Sequence, residues 1–233
     1  MTIGIHQPYF FPYLGYFQLI NAVDQFIIYD DVNFIKQGYI NRNAILLEGQ
    51  AQKINLLVKD ISSNKKINEH FIVTDRKWKK KLIKNIQQNY SKAPFYKERI
   101  QFIESLILIE EDHLANYLTT QIKNICAYIG INTIVKQSSK TYPNTTLLRE
   151  QRIVAICNQE KASKYINAIG GEELYNKNEF KQLGLNLYFL KTSKHHYQQH
   201  NNTFVPDLSI IDVLMFNSID EIKDNLLNKY TLC

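Results

Sequence analysis

The first 43 residues constrain the fold more strongly than any other part of this 233-residue chain. Thr2–Ile5 has the length of a short strand, and a brief helical pattern follows from Gly15 to Ala22. Gln25–Tyr29 is a β-branched and aromatic run that ends in two acids, Asp30 and Asp31. Strand, helix and strand in this order predict a right-handed crossover between parallel neighbours. The carboxyl ends of both strands would then face one crevice, where we expect the functional site.

Alternation of strands and helices returns after residue 130. INTIVKQS, ASKYINAI and LNLYFLKT have strand character, while LLREQRIVAICNQE and EELYNKNEF read as helical. Two apolar runs around Gly49 predict a hairpin, and helical spacing between residues 76 and 130 predicts three helices, the last ended by Gly130. The sequence therefore predicts an α/β fold: a Rossmann-like, mostly parallel sheet within a single domain over 1–233, with a helical insertion at about 65–130.

Composition excludes several classes of protein. With 45% hydrophobic residues the chain can build a core, so it is not disordered. Its longest apolar stretches, such as IESLILIE, carry acids and fall far short of the roughly 18 to 20 residues that span a bilayer. The start, MTIGIHQP, lacks the basic and apolar regions of a signal peptide, so we expect a cytoplasmic protein. Three scattered cysteines without a C-x-x-C pair argue against a disulfide framework or a zinc ribbon.

The net charge is +6, and its densest source is the run DRKWKKKLIKN at Asp75–Asn85. A solvated helix face, an acidic protein partner and a nucleotide phosphate all explain such a run. Nucleic-acid binding would require cations interleaved with stacking aromatics. Trp78 lies in the run, but no known nucleic-acid motif surrounds it, so we expect no nucleic-acid partner.

His6 is the first candidate catalytic residue. Pro8 forces Gln7 into an extended conformation, so the first strand should end at this point. A strand-terminal histidine in this layout would point into the ligand crevice, where it could act as a general base toward an amine or as a donor to a phosphate. The alternative is a structural histidine whose ring nitrogen bonds a neighbouring carbonyl.

Asp30 and Asp31 end the second predicted strand. Such a pair can bind Mg²⁺, orient a histidine or bind ribose hydroxyls, and it can also simply open a turn. We take Asp31 as a second catalytic candidate. Arg42 is the best candidate for a bidentate anion clamp, with Lys36 as its partner.

Gly170 and Gly171 precede an acidic helical start, where the backbone could approach a phosphate or sugar closely, although a tight turn explains them equally well. Asp207 or Asp212 could cap the last helix. The spacing of His195, His196 and His200 lacks a fourth ligand, so we predict no metal site. The remaining candidate substrate-binding residues have polar tips or little bulk: Gln7, Tyr9, Gly15, Asn41, Tyr175, Tyr197 and Ser209.

Common catalytic motifs are missing. No G-x-S-x-G elbow, P-loop or G-x-G-x-x-G loop occurs, which disfavours acyl-serine hydrolysis, P-loop phosphotransfer and dinucleotide redox chemistry. Cys157 lies on the predicted apolar side of a helix, where an inert core thiol belongs.

Three segments carry a resemblance to a known family. IHQPYFFPYLGYFQLINAVDQFIIYDDVNFIKQGYINRN, NQEKASKYINAIGGEELYNKNEFKQLGLNLYF and YQQHNNTFVPDLSIIDVLMFN resemble the WbqC-like family, whose members are associated with bacterial O-antigen and other surface-polysaccharide loci. The resemblance covers nearly the whole chain, and KQGYINRN at Lys36–Asn43 matches the family's pattern. It implies a role in surface-polysaccharide biosynthesis without defining a reaction.

The layout around His6 is also similar to the nucleotidyltransferase and pantothenate-synthetase superfamily, whose H-x-G-H histidines embrace ATP phosphates. This chain has one histidine there, and Gly15 lies nine residues downstream with no histidine beside it. The topology can therefore be shared while the adenylyl-transfer chemistry is not.

These observations leave three functional hypotheses. The first is a transferase that places an acyl or aminoacyl group on the amine of a nucleotide-linked amino sugar. Its donor would be an acyl-carrier thioester, and an acidic carrier protein would suit the basic helix. The second is ATP- and Mg²⁺-dependent nucleotidyl transfer or carboxylate activation by an amide ligase. The third is a non-catalytic module that binds a sugar nucleotide or a partner enzyme.

Overall fold

The computed structural model describes residues 1–143, 145–147, 149–193, 196–200 and 203–233. Its strands are β1 Thr2–His6, β2 Gln25–Ile28, β3 Arg42–Leu47, β4 Gln50–Asn55, β5 Ile134–Lys136, β6 Lys164–Ala168, β7 Asn186–Thr192 and β8 Tyr230–Leu232. Its α-helices are α1 Leu14–Asn21, α2 Arg76–Tyr90, α3 Tyr96–Ile107, α4 Leu114–Tyr128, α5 Arg149–Gln159, α6 Lys177–Gln182 and α7 Ile210–Phe216. Among the residues described, no helix has both the length and the apolar composition needed to cross a membrane.

Six strands form the main sheet in the order β5-β2-β1-β6-β7-β8. All neighbours are parallel except β8, which runs antiparallel to β7. From β1 the chain adds β2 and then β5 on one side of the sheet, and it then returns to add β6 on the other side of β1. Ligands in such open sheets bind beyond the carboxyl ends of the strands at this point of reversal. The predicted α/β, Rossmann-like sheet is confirmed, and the reversal lies between β1 and β6.

Helices cover both faces of the sheet, because successive strand residues point to opposite sides. Phe26, Ile28 and Leu190 contribute to the larger core, together with α1, α7 and the helices α2, α3 and α4; we call this side the front face. Ile3 and Phe189 pack with α5 and α6 on the other side, the back face. Since Ile3 and Ile5 of β1 belong to the back face, His6 lies on the front.

The segment between β2 and β5 contains the hairpin and the three predicted helices. Strands β3 and β4 are antiparallel and are joined by Glu48 and Gly49, both at positive φ (49° and 77°), as a tight two-residue hairpin requires. Gly130 follows α4 at φ 77°, a left-handed conformation that suits glycine after a helix. The predictions for Gly49, Gly130 and the three helices are confirmed.

Candidate functional site

The loop that follows β1, residues 7–13, is held in a strained conformation by distant side chains. Phe11 has φ 42°, a left-handed value that is unfavourable for a bulky residue. Its N–H donates to Gln121 Oε1 of α4 at 2.8 Å. Asn43 of β3 donates its Nδ2 to the carbonyls of Phe10 (3.1 Å) and Phe11 (2.6 Å). The hairpin and the inserted helices therefore fix this loop.

Two further backbone contacts complete the restraint. The Phe10 N–H donates to the Tyr39 carbonyl at 3.1 Å, and the Ile210 N–H donates to the Pro12 carbonyl at 2.8 Å. Phe10 and Phe11 are fully buried as a result, while Tyr9 and Tyr13 stay partly exposed. A loop held at this many points presents those two tyrosines in fixed positions.

His6 ends β1 and is partly buried beside this loop. Its Nδ1 lies 3.0 Å from the Gln7 carbonyl, and because a carbonyl only accepts, Nδ1 carries the proton. Burial lowers the pKa of His6 below its ordinary value of 6.5, and the Gln7 carbonyl only partly opposes this shift. The ring is therefore neutral at pH 7 and offers Nε2 as an acceptor, which has no hydrogen-bond partner in the described part of the chain.

Two tyrosines, Tyr9 and Tyr16, contact His6, and Tyr13 and Tyr39 extend the group; we call these four residues the tyrosine cluster. The His6 ring meets Tyr9 and Tyr16 edge to face, with centroids 4.8 and 5.2 Å apart. Tyr39 lies 5.5 Å from Tyr9 and 6.5 Å from Tyr13. Burial raises the pKa of Tyr9, Tyr13 and Tyr16, so their hydroxyls stay protonated. The cluster offers apolar ring faces and hydroxyl donors next to a neutral imidazole.

A cavity of about 490 Å³ opens at the start of α1, and we call it the α1 pocket. Tyr13 belongs to both the tyrosine cluster and the pocket, which joins the two. A Cβ on Gly15 would lie 2.5 Å from Tyr13 Cε2 and 2.6 Å from Thr192 Oγ1, so only glycine fits there. The pocket is lined by Tyr13, Leu14, Gly15, Thr192, Ser193, His196, Tyr197, Phe204, Pro206, Asp207, Leu208 and Val213.

The far wall of the α1 pocket is braced by a buried carboxylate. Asp212 accepts hydrogen bonds from Tyr197 Oη (2.7 Å), Gln199 Nε2 (2.7 Å) and Tyr90 Oη (2.9 Å). Burial raises the pKa of Asp212 in spite of these donors. Asp212 therefore holds Tyr197 in place. The cap of α7 is Ser209, whose Oγ accepts from Ile211 N–H at 3.2 Å, so the suggested caps Asp207 and Asp212 were wrong.

Asp30 and Asp31 follow β2, just beyond its last residue Ile28, within a hydrogen-bonded polar group that we call the aspartate cluster: Asp30, Asp31, Ser138, Ser139 and Arg152. Arg152 donates to Asp31 Oδ2 at 3.0 Å, and both side chains are almost completely buried. Ser138 Oγ donates to Asp30 at 2.6 Å, and Ser139 Oγ donates to Asp31. Burial raises the pKa of Asp30, although Ser138 opposes the shift.

Arg152 comes from α5, so the aspartate cluster lies on the back face while His6 lies on the front. Within the described ranges the structure shows no hydrogen bond between His6 and either aspartate. The carboxylate oxygens bond to residues of this chain instead of projecting into the α1 pocket. The catalytic prediction for Asp31 stays untested, and its geometry is that of a structural ion pair.

The predicted anion clamp is not assembled at the α1 pocket. Lys36 is exposed, and Arg42 is partly buried at the start of β3. Because side chains alternate along a strand, Arg42 points away from Asn43, which holds the Phe10–Phe11 backbone. Asn41 is buried and donates to the Leu56 carbonyl at 3.2 Å, so it supports the hairpin. Neither cation makes an ion pair with the described carboxylates.

The glycine pair and Tyr175 lie outside the α1 pocket. A Cβ on Gly171 would collide with the Asn167 side chain, whereas one on Gly170 would meet nothing within 4 Å. Gly171 is thus required for packing within the chain. Tyr175 lines a separate depression whose other walls include four glutamates: Glu150, Glu172, Glu173 and Glu179. That charge opposes a phosphate ligand.

Metal and thiol chemistry find little support. Among the described residues no group of three or more His, Cys, Asp or Glu side chains is arranged to hold a metal ion. Of the three histidines considered for a metal, His195 lies outside the described residues and His196 lines the α1 pocket. Cys157 is buried, and desolvation raises its pKa to about 12, which keeps the thiol protonated.

Comparison with known proteins agrees with the resemblance in the sequence. The sequence model of the WbqC-like protein family matches residues 7–224. The chain belongs to the WbqC-like protein family. It is 29% identical over 227 residues to a Mycobacterium tuberculosis protein named "Uncharacterized protein Rv1507c", and the match covers 96% of each chain. No solved structure matches the chain.

Several site residues of this WbqC-like protein were not predicted from the sequence. Asn43 and Gln121 bond to the loop from 32 and 110 positions away in the chain, and no local sequence pattern indicates such contacts. Thr192 and Ser193 do carry a signal, since they are polar residues at the carboxyl end of a predicted strand. The same rule that selected His6 would have selected them. Gly15 and Tyr197 were predicted, and both line the pocket.

Proposed function

We propose that this WbqC-like protein is a transferase of surface-polysaccharide biosynthesis that moves an acyl or aminoacyl group onto the amine of a nucleotide-linked amino sugar. One observation carries the proposal: a neutral His6 offers Nε2 at the end of β1, beside tyrosines that continue into the α1 pocket. An amine nucleophile needs a base of this kind, because the attacking nitrogen must lose a proton.

The α1 pocket has the size and the hydrogen-bond donors for a nucleotide diphosphate, although the Asp207 carboxylate on its wall opposes the phosphates. Its volume of about 490 Å³ lies in the usual range for small-molecule sites, and it opens at the start of α1, where helix amides favour an anion. Thr192, Ser193 and His196 would add donors from the opposite wall. The amino sugar would lie against the tyrosine cluster, whose rings can stack on a sugar and whose hydroxyls can bond it. Lys36 and Arg42 do not line the α1 pocket, so as proposed phosphate contacts they require a diphosphate that extends out of the pocket past Tyr39, which lies between them in the sequence.

The reaction would proceed by addition and elimination at the acyl carbonyl. The sugar amine attacks a thioester carbonyl, a C–N bond forms, and His6 Nε2 accepts the proton released from nitrogen. Collapse of the tetrahedral intermediate breaks the C–S bond. The proton on His6 then passes to the departing thiolate, which restores the neutral imidazole. The Tyr9 hydroxyl is the nearest available donor for the oxyanion, since its raised pKa keeps it protonated, whereas the buried Tyr16 hydroxyl already donates to the Gln7 carbonyl at 3.0 Å.

His6→Ala tests the proposal. Turnover of a UDP- or dTDP-linked amino sugar with an acyl-carrier thioester should fall by about 10²- to 10⁴-fold, because a general base is removed. Binding of the sugar nucleotide, measured by calorimetry at low salt, should change far less. His113→Asn is the matched control: His113 caps α4 through Nδ1, Asn is also a good cap, and the residue does not line the α1 pocket. Because this variant loses the contact of His113 Nε2 with the Asn68 carbonyl, its melting temperature is compared with that of the wild type. Wild-type turnover in His6→Ala would reject the assignment.

ATP-dependent nucleotidyl transfer or carboxylate activation is the second candidate, favoured by the reversal of strand order between β1 and β6. It predicts Mg²⁺-dependent binding of ATP and release of pyrophosphate. The aspartate cluster weakens this candidate, because three of its four carboxylate oxygens, both of Asp31 and Oδ1 of Asp30, already accept from Arg152 and two serines. Binding of a sugar nucleotide without turnover of any donor would instead support the non-catalytic module.

A further inference from the structure

The net charge of the molecule is concentrated in one helix. Helix α2 holds six of the 28 lysines and arginines and none of the 22 acids, so the rest of the chain has 22 of each and no net charge. One of the six, Lys79, is buried and donates to the Ile109 carbonyl at 2.9 Å. Exposed cations remain at five positions, Arg76, Lys77, Lys80, Lys81 and Lys84, which we call the basic face.

This arrangement works against the stability of the helix. Arg76 and Lys77 occupy the first turn, where the positive end of the helix dipole disfavours cations. Lysines three or four positions apart also repel one another, as in Lys77–Lys81 and Lys80–Lys84. The cap from Asp75, which accepts from Lys77 N–H at 2.9 Å, is a single partial compensation. Folding therefore gives no reason for this pattern.

The basic face has almost no partners inside the molecule. Arg76 pairs with Glu110 at 2.8 Å, but both side chains are largely exposed, so this contact contributes little. The four lysines of the basic face make no ion pair with the carboxylates that the structure describes. Their charge is therefore available to a molecule outside the chain.

The chemistry of the face favours an acidic protein over other anions. Trp78 is the sole tryptophan of the chain, and it is buried with its Nε1 bonded to the Val73 carbonyl at 2.8 Å, so it offers no surface for stacking bases. The apolar side of α2, with Leu82 and Ile86, is buried in the core and cannot enter a bilayer. What remains is a rigid row of ammonium groups that complements a row of carboxylates.

Helix α2 also connects directly to the α1 pocket. Its last residue, Tyr90, donates to Asp212, and Asp212 in turn holds Tyr197 on the pocket wall. Gln88 and Asn89 line a surface depression together with Gln198 and His200, which belong to the same segment as the wall. The basic face ends at Lys84, about 9 Å along the helix before Tyr90, so a protein bound to it needs to extend along α2 toward its C-terminal end to reach the rim of the pocket.

We propose that the basic face of α2 docks an acidic carrier protein that delivers the acyl thioester to the α1 pocket. This inference rests on the proposed transferase function, from which it takes the thioester donor. The carrier presents carboxylates to Lys77, Lys80, Lys81 and Lys84, and these long-range attractions raise the rate of encounter. The acyl group then enters the pocket past Tyr197.

Binding of a purified acetyl-loaded acyl carrier protein, carrying a fluorescent label, tests the inference by anisotropy. We expect Lys77→Glu, Lys81→Glu and Lys84→Glu together to weaken binding by about tenfold or more at low salt, because three attractions become repulsions. The triple variant should melt close to the wild type, since an acid at position 77 is favourable in the first turn and acids at positions 77 and 81 replace one like-charge pair by another. The control carries the same charge change on other elements: Lys140→Glu, Lys164→Glu and Lys181→Glu, all exposed in the wild type.

The outcomes separate this inference from the transferase proposal. Equal binding by the two triple variants, or no binding of the carrier to the wild type, overturns the docking surface. Loss of binding to anionic vesicles or to single-stranded DNA in the α2 variant, with carrier binding unchanged, assigns the face to another partner and also overturns it. Carrier binding with no affinity for sugar nucleotides leaves the docking surface intact and rejects the transferase. Sugar-nucleotide binding without carrier binding rejects the docking surface and leaves the sugar-nucleotide site intact.

Discussion

The aspartate cluster and the surroundings of His6 end neighbouring parallel strands, and yet they are built on opposite plans. The two carboxylate oxygens of Asp31 accept from Arg152 and Ser139, and all three side chains are buried on the back face. Around His6, on the front face, distant side chains hold the backbone of the loop. His6 Nε2 is an acceptor that has no hydrogen-bond partner among the described residues. The first arrangement is closed, and the second is open.

This difference separates two uses of polar residues at strand ends. A closed group stabilises the junction between β2 and α5, because buried charges are tolerated only when they are paired. The local partners of the open group are only the Gln7 carbonyl and the rings of Tyr9 and Tyr16. The surrounding loop is therefore held by more distant residues, which keep Phe11 at φ 42°. A polar side chain at a strand end is thus a functional candidate only if its polar atoms are not already bonded to other residues of the chain.

The closed group should fail first when a partner is removed. Arg152→Met leaves the Asp31 carboxylate buried and unpaired, so the free energy of unfolding should fall by about 3–5 kcal/mol. Urea denaturation measures this loss. Arg76→Met, which removes an exposed ion pair with Glu110, should change the free energy of unfolding by less than about 1 kcal/mol. If Arg152→Met were as stable as the wild type but unable to bind ligand, the aspartate cluster would belong to the open class.

Filling the pocket should affect binding more than folding. A methyl group from Gly15→Ala must displace the Tyr13 ring or Thr192, so the affinity for a sugar nucleotide should fall by about tenfold, while better helix propensity offsets part of the strain. Gly170→Ala is the control, because its new Cβ meets nothing within 4 Å. Calorimetry compares the two. An equal loss of affinity in Gly170→Ala would place the ligand beyond the α1 pocket.

The smallest effect concerns pH. Because burial lowers the pKa of His6 below 6.5, the unfolded chain binds a proton more readily than the folded one as pH falls through 6.5. Stability is then lost toward acid, with a slope of at most about 1.4 kcal/mol per pH unit from this residue. Denaturation of wild type and His6→Gln between pH 7 and pH 5 isolates that contribution. Parallel curves for the two proteins would show that His6 is as open to water when folded as when unfolded.

The sequence predicts what depends on neighbours along the chain. The spacing of apolar residues predicted the parallel strands, the hairpin at Gly49 and the three inserted helices. Each of these depends on a pattern within a few consecutive residues. Strand β8 was missed because Tyr230–Leu232 is too short for alternation to show. It pairs as the antiparallel edge of the sheet, where a partner strand compensates for its short length.

The candidate site was predictable only in part, because its chemistry depends on contacts between distant residues. His6, Gly15 and Tyr197 were selected from strand ends, small residues and aromatic tips. The partner of Asp31 lies 121 positions away in Arg152, and the donor to Asp212 lies 122 positions away in Tyr90. A sequence shows that an acidic residue follows a strand. It does not show which distant residue will donate a hydrogen bond to that acid in the folded protein.

The anchoring of the loop at Phe11 has a consequence for how the protein matures. Gln121 and Asn43 belong to the segment that interrupts the parallel sheet, and both must be in place before the loop can adopt its strained shape. A chain whose sheet had formed without its inserted helices would lack an ordered His6 environment. Under the proposed transferase function, only molecules that have assembled both the sheet and the inserted helices would engage substrate.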